Sequence, residues 1–154
     1  MTQIRFAIVE DLPAIVELAP RAHQESRFAS IPFKARRLWS ALETHIQRGN
    51  SCVLVAYDAH NDLIGFLLGH LQRYDFASSS MACLQHWYVT PENRGSFVAM
   101  KLFAGFKQWA RQREAVEILI KVQFDTQRID KATLRILQKS GFKPVGTVMS
   151  RWVD

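Results

Sequence analysis

The residues best placed to do chemistry lie in one stretch, WYVTPENRGSFVAMKL at positions 87–102, where a strand-like run passes through a short loop into a helix-like one. The first turn of a helix leaves backbone N–H groups unpaired, and the helix dipole makes that end positive. Gly95, Ser96 and Ala99 are small enough to let a phosphate approach the backbone, and Arg94 adds a full charge. The pattern reads as an anion site. It reads equally well as an ordinary turn between strand and helix, because Arg-Gly-Ser is a common tripeptide. Other reactive side chains are scattered. Cys83 and His86 stand in C-x-x-H spacing, but no second pair follows at zinc spacing, so no metal site is expected. Cys83 has no recognisable base partner, which favours a small buried hydrophobe over an acyl-accepting nucleophile. His23, His45, His60 and His70 fall in surface or hairpin positions.

The elements that must position this stretch follow from spacing. Ile4, Phe6 and Ile8 alternate with other residues as in a strand, and Asp11 before Leu12-Pro13 predicts a helix N-cap. Ile15, Val16, Leu18 and Ala19 give that helix an apolar face up to Pro20. Leu38, Leu42 and Ile46 predict a second helix over 34–48, closed by Gly49-Asn50. SCVLVAY and LIGFLLGHL, joined by DAHND, read as an antiparallel hairpin, and MACLQHWYVT as the next strand. Ala99, Leu102, Phe103, Phe106 and Ala110 predict a helix. AVEILIKVQF reads as a strand, 129–140 as a helix stopped by Gly141, and VGTVMSRWV as a final strand. The expectation is an α/β (α+β) fold in one domain over 1–154, with a mixed, mostly antiparallel sheet and helices on both faces.

Composition narrows the class. A chain of 154 residues with ten phenylalanines, four tryptophans and three tyrosines can bury a core without metal or disulfide help. The longest uncharged apolar run, Leu63 to Leu71, is far short of the roughly 20 residues of a membrane span. The first residues lack the pattern of a signal peptide, so a cytoplasmic protein is expected. A formal charge of +6 asks for an anionic partner without saying which.

VTPENRGSFVAMKL resembles the acyl-CoA-binding segment of the GNAT superfamily of N-acyltransferases. There a strand ends in Val-x-Pro, and a Gln/Arg-x-x-Gly-x-Gly/Ala turn opens a helix. Val89 and Pro91 match the strand end, and Arg94 and Ala99 match the first and last positions of the turn. IRFAIVEDLPAIVELA is similar to the family's first strand and helix, and ILQKSGFKPVG to its closing helix and final strand. HQESRFASIPF is similar to the loop that borders the acceptor site.

The resemblance implies a GNAT-like fold and acetyl transfer from acetyl-CoA to a primary amine of a small molecule or protein. It implies a cofactor site at Trp87, Tyr88, Val89, Arg94, Gly95, Ser96, Phe97, Val98 and Ala99, with an oxyanion donor near Val89. The chain departs from the pattern at Phe97, which replaces the middle glycine, at Asp130, which replaces an asparagine, and at Leu137, where many members carry the tyrosine that protonates the thiolate. A thiol of pKa about 8.5 can leave without full protonation, so that loss slows the reaction rather than forbidding it. His86, beside the expected thioester site, is one candidate base; its alternative is a core histidine bonded to a neighbouring strand. Strict alternation sets Cys83, Gln85 and Trp87 on the face opposite His86 unless a bulge intervenes, as is usual in the family. Glu25 is a second candidate base, with a solvated loop carboxylate as its alternative. The stripe Arg128, Lys131, Arg135 and Lys139 is a solvated helix face or a hold on a peripheral phosphate. Nucleic acid and membrane are disfavoured as partners, and a homodimer through exposed final strands is compatible with such a fold. The alternative function is a non-catalytic GNAT-like module that binds a partner or nucleic acid.

Overall fold

The computed structural model describes residues 1–122 and 131–153. Their contacts divide into two compact units, Met1–Lys121 and Val122–Asp154. The first unit runs β1 (Gln3–Phe6), α1 (Leu12–Gln24), α2 (Ala35–Gln47), β2 (Ser51–Tyr57), β3 (Leu63–Arg73), β4 (Ser80–Val89), α3 (Val98–Gln112) and β5 (Glu117–Ile120). The strands form one sheet in the order β1-β2-β3-β4-β5, antiparallel except for the parallel pair β4–β5. The mixed sheet expected from the sequence is present.

β2 is buried along nearly its whole length because helices cover both of its faces. Val53 and Val55 pack with Leu12, Ile15, Leu42 and Leu68, beneath α1 and α2. Leu54, between them, meets Gly105 of α3 on the other face. The apolar side of α3 (Val98, Leu102, Phe103, Phe106, Trp109, Ala110) is buried throughout. The β2–β3 turn closes as its Asp and Asn residues predict. The Asp58 carboxylate accepts the N–H groups of His60 and Asp62, and Asn61 takes a left-handed φ of 64°.

One glycine sets how closely α3 approaches. A Cβ on Gly69 would lie 2.3 Å from Cε2 of the fully buried Phe106 and 3.0 Å from the Cys83 carbonyl oxygen. Gly69→Ala is therefore expected to destabilise the protein by about 1–3 kcal/mol. At about 2–4 °C per kcal/mol, that appears as a melting temperature lower by about 2–12 °C. An unchanged melting curve would show that α3 can retreat from the sheet.

Asp11 holds the N-cap position of α1 ahead of Leu12-Pro13, as expected, but its side chain makes no capping bond. The carboxylate turns instead to Arg5, Tyr57 and the Ile8 N–H, closing the short 3-10 turn Val9–Asp11. Three other expectations are corrected. Helix α1 does not stop at Pro20 but continues to Gln24. A helix can carry a proline when neighbouring hydrogen bonds and packing on its apolar face hold it, as burial of Leu12, Ile15, Leu18 and Ala19 does here. Regular strand in AVEILIKVQF covers only Glu117–Ile120, its last residues lying outside the described ones. VGTVMSRWV forms no strand among the described residues. Its apolar residues Val145, Val148, Met149, Trp152 and Val153 fall at alternating intervals of three and one, so no single pleated face collects them.

In the second unit, α4 spans Lys131–Lys139 and ends as the sequence predicts. Gly141 takes φ 88°, and the Phe142 N–H bonds the Leu137 carbonyl at 3.0 Å.

Candidate active site

β4 carries an irregularity that creates an open edge. Leu68 pairs with His86, but Gly69 pairs with Leu84, which leaves Gln85 as a bulge residue without a partner on β3. The parallel ladder to β5 covers only Met81–Leu84. Beyond the bulge, Gln85–Val89 has no ladder partner on that side among the described residues. The Thr90 N–H bonds Ile64 O at 2.9 Å, toward β3. Antiparallel alternation then turns the N–H and C=O of Val89 and Trp87 to the open edge. These are backbone groups that a ligand can pair with as another strand would.

The bulge also sorts the side chains. His86 and Tyr88 lie opposite Leu68 and Phe66 on the face covered by α1 and α2, while Trp87 stacks on Phe103 of α3 at 5.2 Å between ring centroids. Cys83 pairs with His70, two residues beyond Leu68, and so shares the face of His86. The bulge that the resemblance made usual here is present, and it sets Cys83 on the face of His86 where strict alternation would oppose them. Burial raises the Cys83 thiol and pushes Cys52 up to about 12, so neither is a ready nucleophile.

The loop after β4 is built from small tight turns. Pro91–Asn93 is a 3-10 turn, held by the Asn93 N–H on the Thr90 carbonyl and by the Asn93 side-chain amide on Thr90 Oγ1 at 2.8 Å. Gly95 takes the left-handed φ of 84°. The Ser96 hydroxyl donates to the Asn93 carbonyl and accepts the Val98 N–H at 3.4 Å. Phe97 caps α3 at φ −77°, a value any residue adopts, and its ring is 78% exposed. Replacing glycine by phenylalanine therefore strains nothing and leaves the turn unfilled. The Ala99 and Met100 N–H groups, in the first turn of α3, have no intrahelical acceptor.

Arg94 faces the other way. Its Nε donates to Val89 O at 3.0 Å, its Nη2 to Glu25 Oε2 at 3.0 Å, and its guanidinium lies 5.4 Å from the centre of the Tyr88 ring. Arg21 makes a matching tie to Glu92, at 3.1 Å. Two ion pairs thus join the end of α1 to the loop after β4, residues about seventy positions apart. No spacing rule reveals such a pair. Burial pushes Glu25 up, but the Tyr88 hydroxyl and Arg94 outweigh it and hold the carboxyl below its ordinary range. Burial first, and the Glu25 carboxylate second, raise the Tyr88 hydroxyl to about 12. That hydroxyl is buried and makes no hydrogen bond of good geometry, although Glu25 is close enough to influence it.

His86 is exposed rather than tied to a neighbouring strand, and it makes no hydrogen bond among the described residues. Crowding by protein and the neighbouring His45 both lower its pKa, so it is neutral at pH 7. A neutral, accessible imidazole can accept a proton; Glu25, paired and lowered, is the poorer base. Leu137, where a tyrosine is usual, is 4% exposed. Asp130 and Arg128 lie outside the described residues, as does the side chain of Lys131. Among the described residues no His, Cys, Asp or Glu cluster is placed to hold a metal ion, and no helix is long and apolar enough to cross a membrane.

The comparisons with known proteins agree with this architecture. Residues 12–142 match the model of the acetyltransferase (GNAT) family. An acetyltransferase of Trypanosoma brucei superposes with a TM-score of 0.76 at 15% identity, covering 99% of this chain and 100% of that one. An aminoglycoside antibiotic 6'-N-acetyltransferase from Acinetobacter baumannii gives 0.76 at 20% identity over 100% and 99%. Glucosamine-6-phosphate N-acetyltransferase from Arabidopsis thaliana gives 0.77 at 10% identity over 100% and 99%. At these identities the likeness is one of fold. No curated protein sequence matches the chain. With the family model covering most of its length, and with the bulged strand, open edge and following helix in place, the chain belongs to the GNAT acetyltransferase family.

Proposed function

We propose that the protein transfers an acetyl group from acetyl-CoA to a primary amine of a small molecule or protein. The observation that carries this reading is the junction of two backbone surfaces with unpaired N–H groups, the edge of β4 at Trp87–Val89, which has no neighbouring strand among the described residues, and the first turn of α3, through the short loop that Gly95 closes. The residues fit the co-substrate. The β4 edge would pair with its amide-bearing arm, while the Gly95–Ala99 backbone would hold its diphosphate. When bound, the co-substrate supplies a thioester carbonyl. The Val89 N–H, already aimed away from β3, would donate to the oxyanion that develops there. Neutral His86 would take a proton from the acceptor's ammonium group, directly or through one water, leaving the neutral amine that attacks the carbonyl. The family match crosses both compact units, which supports reading 1–154 as one domain.

Calorimetric titration and thermal denaturation with acetyl-CoA test the reading. Ligand at about 100 times its Kd stabilises by about 2.7 kcal/mol. At about 2–4 °C per kcal/mol, the melting temperature should rise by about 5–10 °C. No heat and no shift with millimolar acetyl-CoA would overturn it.

Buried Leu137 favours a second reading, a non-catalytic module, because an alkyl chain cannot donate a proton. Release of free CoA thiol with a panel of amines separates the two. Turnover excludes the module, whereas binding without turnover supports it.

A further inference from the structure

The loop that opens α3 contains one full positive charge, Arg94, and that charge is already engaged elsewhere. Its Nε occupies Val89 O, on the edge of β4 that β5 leaves open, and its Nη2 holds Glu25. The Glu25–Arg94 pair is only half sheltered, each side chain being 39% exposed, and pairs of this kind are exchanged at small cost. Arg21 cannot take over at Glu25 without leaving its own partner, Glu92. The buried Tyr88 hydroxyl already favours the Glu25 carboxylate and stays beside it if Arg94 leaves. Phosphate groups, with more charge and several acceptor oxygens, are stronger partners for a guanidinium than one carboxylate.

We propose that Arg94 is a latch shared between Glu25 and the phosphates of the nucleotide co-substrate, so that Glu25, which touches no phosphate, sets the affinity of the cofactor site. Binding moves the guanidinium from Glu25 to phosphate, and the carboxylate is released at the moment the co-substrate is seated. The two equilibria are linked: the pair weakens binding by the same factor by which the bound co-substrate weakens the pair, so loosening the pair tightens binding. The proposal rests on the acetyl-CoA reading above.

The test is a double-mutant cycle read by calorimetric titration with coenzyme A, using the wild-type protein, Glu25→Gln, Arg94→Gln and the double variant. Glu25→Gln frees the latch and is expected to tighten binding about two- to fivefold. Arg94→Gln is expected to weaken it about tenfold or more. In the Arg94→Gln background the Glu25→Gln change should have no effect. Tightening of equal size in both backgrounds would overturn the latch, because Glu25 would then act only by repelling an anion at a distance. Unchanged or weaker binding by Glu25→Gln alone would also overturn it. A flat titration with the wild-type protein would sink the acetyl-CoA reading itself, which the other outcomes leave standing. Both substitutions are at half-exposed side chains, and melting curves of the free variants confirm that folding is intact.

Discussion

Replacing His86 with alanine is expected to lower kcat/KM for amine acetylation by about 100- to 10,000-fold, the usual contribution of a positioned general base. Binding of acetyl-CoA should change little, because the edge atoms of β4 are backbone atoms and survive the substitution. The pH profile supplies an independent check. Desolvation by the surrounding protein and the nearby His45 both lower the pKa of the accessible His86, so the active, neutral form persists below the ordinary histidine value. The acid limb of kcat/KM should therefore fall at a pH below about 6.5 and vanish in the alanine variant. Stability gives the opposite signature. Below pH 6.5 the unfolded chain protonates this histidine more readily than the folded protein does, so the wild-type protein loses stability as pH falls toward the lowered folded value. A His86→Gln variant should lose less over the same range. Full activity in His86→Ala, with an unchanged acid limb, would remove His86 from the mechanism and leave a water-relayed route.

Asp11→Ala is expected to be among the most destabilising single substitutions outside the apolar core. The carboxylate is 3% exposed and accepts four hydrogen bonds: two from Arg5 at 2.7 and 2.9 Å, one from the Tyr57 hydroxyl at 2.6 Å and one from the Ile8 N–H at 2.8 Å. Removing it strands a buried hydroxyl and a guanidinium together. Breaking a buried pair costs about 3–5 kcal/mol, but the Arg5 side chain is 35% exposed and recovers part of its hydration, so about 2–3 kcal/mol is expected. At about 2–4 °C per kcal/mol, thermal denaturation should show a melting temperature lower by about 4–12 °C. Burial pushes the Asp11 pKa up, but the Arg5, Tyr57 and Ile8 donors outweigh it and leave the group lowered. Its contribution is therefore complete above the ordinary carboxylate pKa of about 3.9 and lost as pH falls through the lower folded value. Asp11→Asn should flatten the acid branch of the stability curve. An Asp11→Ala protein with wild-type melting would show that water replaces the carboxylate in full.

Most of the sheet and its helices were legible because the signals are local. Apolar runs between turn residues gave β2, β3 and β4, and helical spacing of Leu102, Phe103 and Phe106 gave α3. The turn between β4 and α3 was legible for the same reason, since its elements are contiguous from Val89 to Ala99. Asp11 shows the limit. Its type and position suited a helix cap, yet Tyr57, forty-six residues away, claims the carboxylate once β1 and β2 pair.

By itself the sequence determined the order of the elements from β1 to α4, the mixed sheet, the family and the turn that links β4 to α3. These rest on periodicity, glycine and proline placement, and a contiguous motif, all of which are fixed along the chain. Only the tertiary structure decided what the charged and reactive side chains do. It turned Arg94 toward Glu25 and away from the first turn of α3, joined Arg21 to Glu92, left His86 accessible with a lowered pKa, and through one bulge residue moved Cys83 to the face of His86. The reason is that hydrogen bonding and charge pairing depend on distance in space. Which donor reaches which acceptor is settled only when strands and helices far apart in sequence have packed.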